Sequence, residues 1–136
     1  MKTIKINADF LLVAAICLIF LSCRSQLSDS SDFLIKVDSI ISPASVSADT
    51  AFDIEFFGTV GYDECTVFKT FRKINNNNDI IVEAWGTYDN KDGKCPPAMI
   101  SLNGQKLNLS ISLPGIYRIL VNEPGEYKLV RQIIVN

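Results

Sequence analysis

The chain has 136 residues, with 13 Lys and Arg against 15 Asp and Glu and a net charge of −2. That length suits one domain around one core, and the near-balanced, slightly acidic charge offers no electrostatic footprint for nucleic acid or anionic headgroups. There is no histidine, which removes the commonest general base and every Ser-His or Cys-His nucleophile pair.

At the N-terminus, Lys2 and Lys5 precede an apolar run over residues 10–21. As a helix that run spans about 18 Å, short of the roughly 30 Å hydrocarbon core of a bilayer, and reads as a signal h-region. It ends in Phe20-Leu21-Ser22-Cys23, which resembles the lipobox of bacterial lipoproteins, with Phe20 where leucine is usual. The resemblance implies removal of residues 1–22 and acylation of Cys23, which then holds the protein on a membrane. The alternative is an ordinary secretory signal followed by a coincidental cysteine. Residues 23–32, rich in serine, are expected to be a flexible tether, and residues 33–136 the folded domain. The expected address is the bacterial envelope, lipid-anchored at the outer membrane and facing the periplasm or the surface.

Of the four cysteines, Cys17 leaves with the signal and Cys23 accepts lipid, leaving Cys65 and Cys95. An even pair in an exported domain predicts a Cys65–Cys95 disulfide; two buried free thiols are the alternative.

Along the mature chain, period-2 alternation and turn residues dominate. Residues 33–41 read as a first strand, stopped by Ser42-Pro43. Residues 51–59 alternate Phe52, Ile54 and Phe56 with polar neighbours, and Gly58, Gly61 and Asp63-Glu64 mark a bend. Residues 65–74 read as a third strand, the run Asn75–Asn78 as a hairpin loop, and residues 79–88 as a fourth strand. That strand sets Ile80, Val82 and Ala84 on one face and Ile81, Glu83 and Trp85 on the other. Residues 89–98 form a polar loop with Pro96-Pro97. Residues 99–102, 106–113, 116–121 and 127–135 complete the strands, separated by Asn103-Gly104, a type I′ signal, and by Pro114-Gly115 and Pro124-Gly125. Short, evenly spaced strands predict an all-β sandwich of about seven or eight antiparallel strands, with a small closed barrel as the alternative.

The segment beginning at Phe52, Cys65 with its aromatic strand, Cys95-Pro96 and Pro114-Gly115-Ile116-Tyr117 resemble a pattern in immunoglobulin-like domains of small Bacteroidetes-type lipoproteins, over roughly residues 35–135. The resemblance implies an immunoglobulin-like fold and carries no active residues. Cys65 starts a strand and Cys95 sits in a loop, so the bridge is expected to pin a loop or a strand end, unlike the core-crossing bridge of antibody domains. Tyr117 resembles a corner tyrosine that bonds to backbone.

No Gly-x-Ser-x-Gly elbow is present, and Asp53 and Glu55 read as solvated strand carboxylates, so an enzyme is not expected; a hydrolase ranks last. Two cysteines without histidine cannot fill a zinc shell. The run Asp89-Asn90-Lys91-Asp92-Gly93 mimics a calcium loop, but aligning Gly93 with the obligatory glycine puts Tyr88 and Met99 at ligand positions. No metal or cofactor is expected. Trp85, Tyr88 and Tyr62 are the candidate binding surface, for a protein or a glycan, with core packing the competing role for Trp85. Thr50, in Asp49-Thr50-Ala51, resembles an O-glycosylation sequon, as does Ser39 in Asp38-Ser39-Ile40. Asn108-Leu109-Ser110 matches an N-glycosylation acceptor that bacterial export makes irrelevant. The leading functional reading is a membrane-tethered, non-enzymatic binding module. The others are a protease inhibitor presenting the 89–98 loop and a structural subunit of an envelope complex.

Overall fold

Alternating apolar positions and β-branched residues drive strand formation throughout the domain. The computed structural model describes residues 30–91, 93–125 and 128–136. The expected signal segment, Cys23 and tether residues 24–29 lie outside the described residues, as do Asp92 of the calcium-like loop and Tyr127. The strands are β1 (Ser30–Leu34), β2 (Ser39–Ile41), β3 (Ser45–Val46), β4 (Phe52–Phe57), β5 (Thr59–Asp63), β6 (Thr66–Asn76), β7 (Asp79–Asp89), β8 (Pro97–Ser101), β9 (Gln105–Leu109), β10 (Gly115–Asn122) and β11 (Lys128–Val135). The chain is all-β, and among the described residues no helix is long and apolar enough to cross a membrane.

β7 is the spine of a six-stranded sheet. β6 lies along one side of it for its full length. The other side is shared by β10, beside residues 79–83, and β1, beside residues 85–89. β11 follows β10, and β3 closes that edge. Two pairings, β10 with β7 and β11 with β3, are parallel, which corrects the expectation of purely antiparallel strands. The chain between β7 and β10 runs through β8 and β9, long enough to return β10 alongside β7 in the same direction.

The expected first strand divides in two. β1 pairs with β7, whereas β2 pairs with β4 in a three-stranded sheet completed by β9. The crossing between them is buried: Ile35 and Val37 are each 1% exposed, and backbone bonds Ile35 N to Ala84 O and Asp38 N to Phe57 O tie it to both sheets. Ser30–Asp32, expected as tether, already belong to β1, because their backbone has β7 to pair with.

β4–β5 and β9–β8 form one bent antiparallel ribbon. β4 pairs with β9, and β5 with β8. The bend falls at Gly58, where a Cβ would stand 2.5 Å from the backbone oxygen of Lys36. It is matched on the facing side by Asn103 (φ 44°) and Gly104 (φ 78°), the positive pair a type I′ turn requires. That turn does not join paired strands. Gln105 N bonds to Leu102 O, and the corner redirects the chain from β8 to β9.

Inner faces of the two larger sheets share one core. Ile54 and Phe56 from β4 pack with Val82 and Ala84 from β7, Ile119 and Val121 from β10, and Ile133 from β11, all fully buried. Phe56 meets Phe71 of β6 with ring centroids 4.4 Å apart, joining the sheets through an aromatic contact.

Candidate functional site

The strict alternation of β7 fixes what the outer face of the large sheet presents. Residues 80, 82, 84 and 86 are buried, while 79, 81, 83, 85 and 87 are half-buried on the other side. Cross-strand registers extend that outer face into rows. One row is Ile74, Ile81, Leu120 and Val130, contributed by β6, β7, β10 and β11. Polar rows flank it: Arg72, Glu83, Asn122 and Lys128 on one side, and Asn76, Asp79, Arg118 and Gln132 on the other. Arg118 grips Asp79 with two bonds of 2.7 Å. Beyond lie Ile116 and Ile134, paired across β10 and β11. Ile74, Ile116, Val130 and Ile134 are 42%, 54%, 49% and 47% exposed, so this is a sheet face carrying apolar side chains toward solvent.

Trp85 stands at the other end of the same face, beside Thr70 of β6 and Leu34 of β1. Its Nε1 donates to Glu83 Oε2 at 3.0 Å, and Asn122 Nδ2 donates to Glu83 Oε1 at 3.1 Å. These two bonds hold the Glu83 carboxyl below its ordinary range, with the Asn122 contact the larger cause. The indole is thereby tied by its N–H, and its ring borders an open groove of about 410 Å³ formed with Asp32, Lys69, Thr70, Phe71 and Arg72. Lys69 Nζ pairs with Asp32 Oδ2 at 2.5 Å, which with a bond from Thr87 keeps the Asp32 carboxyl low. Lys69 is the extra residue of a bulge between Phe68 and Thr70. This groove was not legible in the sequence, because the bulge that shapes it leaves no compositional mark.

The three aromatics expected to act together are separated. Trp85 lies on the outer face. Tyr88 has the opposite parity on β7, and its hydroxyl donates to Cys95 Sγ at 3.2 Å. Tyr62 is on β5 in the small sheet with β8, 75% exposed. Only Trp85 borders the groove.

Cys65 and Cys95 form the expected disulfide. It ties the residue before β6 to the loop before β8 and leaves the core uncrossed. Asp63 supports it: Oδ1 accepts from Cys65 N at 3.0 Å and from Thr66 Oγ1 at 2.8 Å. Asp63, Cys65 and Cys95 are close enough to share a metal ion, but the two sulfurs are bonded to each other, leaving one carboxylate as a conventional ligand. In the calcium-like loop, Lys91 Nζ lies 2.7 Å from Asp89 Oδ2, occupying that carboxylate with a cation of the chain's own. Tyr117 donates to Leu113 O at 3.0 Å, the corner contact expected of it. Thr50 is exposed in the turn after Asp49, whose φ is 59°; Ser39 is exposed at the start of β2. A second cavity, about 270 Å³, lies at the core's edge between Lys73, Ile80, Ile111 and Tyr117.

No protein-family model, curated protein or solved structure matches this chain.

Proposed function

We propose that the chain is a lipid-anchored, non-enzymatic module of the bacterial envelope, an immunoglobulin-like sandwich that makes its contacts through the outer face of the six-stranded sheet. The observation that carries the reading is the row Ile74–Ile81–Leu120–Val130, apolar and partly exposed between two polar rows. An apolar centre with a polar rim is the anatomy of a contact surface. The Tyr117 corner and the shared core of two facing sheets support the immunoglobulin-like reading, while the parallel β7–β10 pair departs from it. A lipid on Cys23 would confine that face to the membrane's vicinity.

Two measurements test this. Intact mass of the native product should give a chain starting at Cys23 with acyl chains attached, and Cys23→Ser should move the protein out of the membrane fraction. Surface crosslinking in intact cells should yield adducts that an Ile81→Asp, Val130→Asp double variant loses while its thermal unfolding stays cooperative. An unmodified Cys23, or adducts indifferent to the double variant, would overturn the proposal.

A second reading, a protease inhibitor, draws on the exposed Lys94 and Pro96 in a loop clamped by the disulfide. Constraining a loop in one conformation lowers the ordering cost of binding. Inhibition of a trypsin-like peptidase, lost on Lys94→Ala, is its test.

A further inference from the structure

We infer that the groove beside Trp85 is a binding site for an acidic glycan, a chain of pyranose rings bearing carboxylates. The inference rests on the proposal that the outer face is the contact surface, and it assigns a ligand to one end of that face.

The argument starts from which groups in the groove are already engaged. The indole N–H is held by Glu83, and both Glu83 oxygens accept bonds, from Trp85 and from Asn122. Asp32 is paired with Lys69. What remains for a ligand is the indole ring, the acceptor side of Thr70 Oγ1, whose proton goes to Phe71 O at 3.2 Å, and the guanidinium of Arg72. Among the described residues Arg72 makes no ion pair within 4.0 Å; Glu83, across from it, attracts it only through space, its oxygens accepting from Trp85 and Asn122.

A pyranose ring matches that inventory. Its C–H face is apolar and packs on an aromatic ring, while its hydroxyls lie at the rim and need donors and acceptors. A carboxylate on the sugar gives Arg72 a directly hydrogen-bonded partner, since a guanidinium offers parallel N–H donors to a planar carboxylate. The volume of about 410 Å³ falls in the range of small-ligand sites. β6 is the outermost strand on this side of the large sheet, so the groove opens sideways and accommodates a chain running past the edge. The site is also pre-formed. Trp85 is fixed by its own hydrogen bond, so little ordering opposes binding.

Trp85 is the only tryptophan of the chain, so its emission reports this groove alone. The full chain, purified in detergent, is titrated with hexagalacturonate and with cellohexaose as the neutral counterpart. The expected result is a saturable emission change with hexagalacturonate that weakens as salt is raised, and about tenfold weaker binding of cellohexaose. Arg72→Gln should remove the preference for the acidic chain, and Trp85→Ala should abolish binding of both in calorimetry. Absence of a saturable change with hexagalacturonate, or a preference untouched by Arg72→Gln, would overturn the inference. The Ile81→Asp, Val130→Asp variant separates the two ideas. Glycan binding absent while surface adducts still depend on that variant refutes the glycan site and leaves the contact face standing.

Discussion

At the scale of single residues, the Trp85–Glu83–Asn122 chain gives a pH dependence with a definite sign. Glu83 has its pKa lowered from an ordinary 4.5 by bonds from Asn122 and Trp85. A carboxylate depressed in the folded state contributes stability above its unfolded pKa and loses it as pH falls through the folded value. The emission of Trp85 should therefore hold constant through neutral and mildly acidic pH and change with a midpoint below 4.5. Glu83→Gln should remove that transition, because a glutamine amide does not titrate; a midpoint at or above 4.5 would contradict the assigned cause. Tyr117 makes a second residue-scale case. It is 9% exposed and its hydroxyl donates to Leu113 O, so Tyr117→Phe should cost about 1 kcal/mol in urea unfolding, the net worth of one such bond. The Cys65–Cys95 bridge closes a sequence separation of 30 residues. Replacing both cysteines by serine should cost about 3 kcal/mol by the chain-entropy relation, read from the shift in denaturation midpoint against the oxidised protein.

At the scale of elements, the sequence carried the strands but not their partners. Alternation over residues 51–59 and 79–88 placed β4 and β7 and separated the two faces of each, because one-sided burial leaves a period-2 record. The same logic ran residues 33–41 together as one strand. Ile35 and Val37 are buried like strand residues, yet the chain there is crossing between sheets, and burial alone does not distinguish the two. β3 has two residues and β5 is interrupted by glycine and irregular register, so neither carries a periodic signal. Asn103-Gly104 gave the right turn but not its use, since turn chemistry fixes local dihedrals and says nothing about which strands pair afterwards. The candidate aromatics are spread for a related reason: residue type marked Trp85, Tyr88 and Tyr62, and pairing geometry sent them to three different places. The ribbon's bend supplies the prediction proper to this scale. Gly58 approaches the Lys36 carbonyl so closely that a Cβ would sit 2.5 Å from it, and the obstruction is backbone at the sheet crossing, which cannot rotate away. Gly58→Ala should destabilise by about 1–3 kcal/mol, the usual cost of forcing atoms into a packed site. A thermal midpoint unchanged by that substitution would mean that the crossing yields.

At the scale of the whole molecule, the question is what distinguishes a sheet face that holds the fold together from one that meets something else. β10 and β11 pose it within single strands, because adjacent residues alternate between the shared core and the outer face. Ile119 and Ile133 are 0% exposed, while Ile116 and Ile134 are about half exposed. A lysine at Ile119 or Ile133 would bring an ammonium into an apolar core without a partner, so neither variant should fold. A lysine at Ile116 or Ile134 keeps its head in water and its stem along the sheet, and should change stability by no more than about 0.5 kcal/mol. Chemical denaturation of the four variants measures both halves of the contrast. If the outer isoleucines served only the fold, their replacement would cost as their neighbours' does. Stability indifferent to their identity would show that the fold does not require isoleucine there, and makes Ile116→Lys and Ile134→Lys the clean reagents for testing the proposed contact in a folded protein.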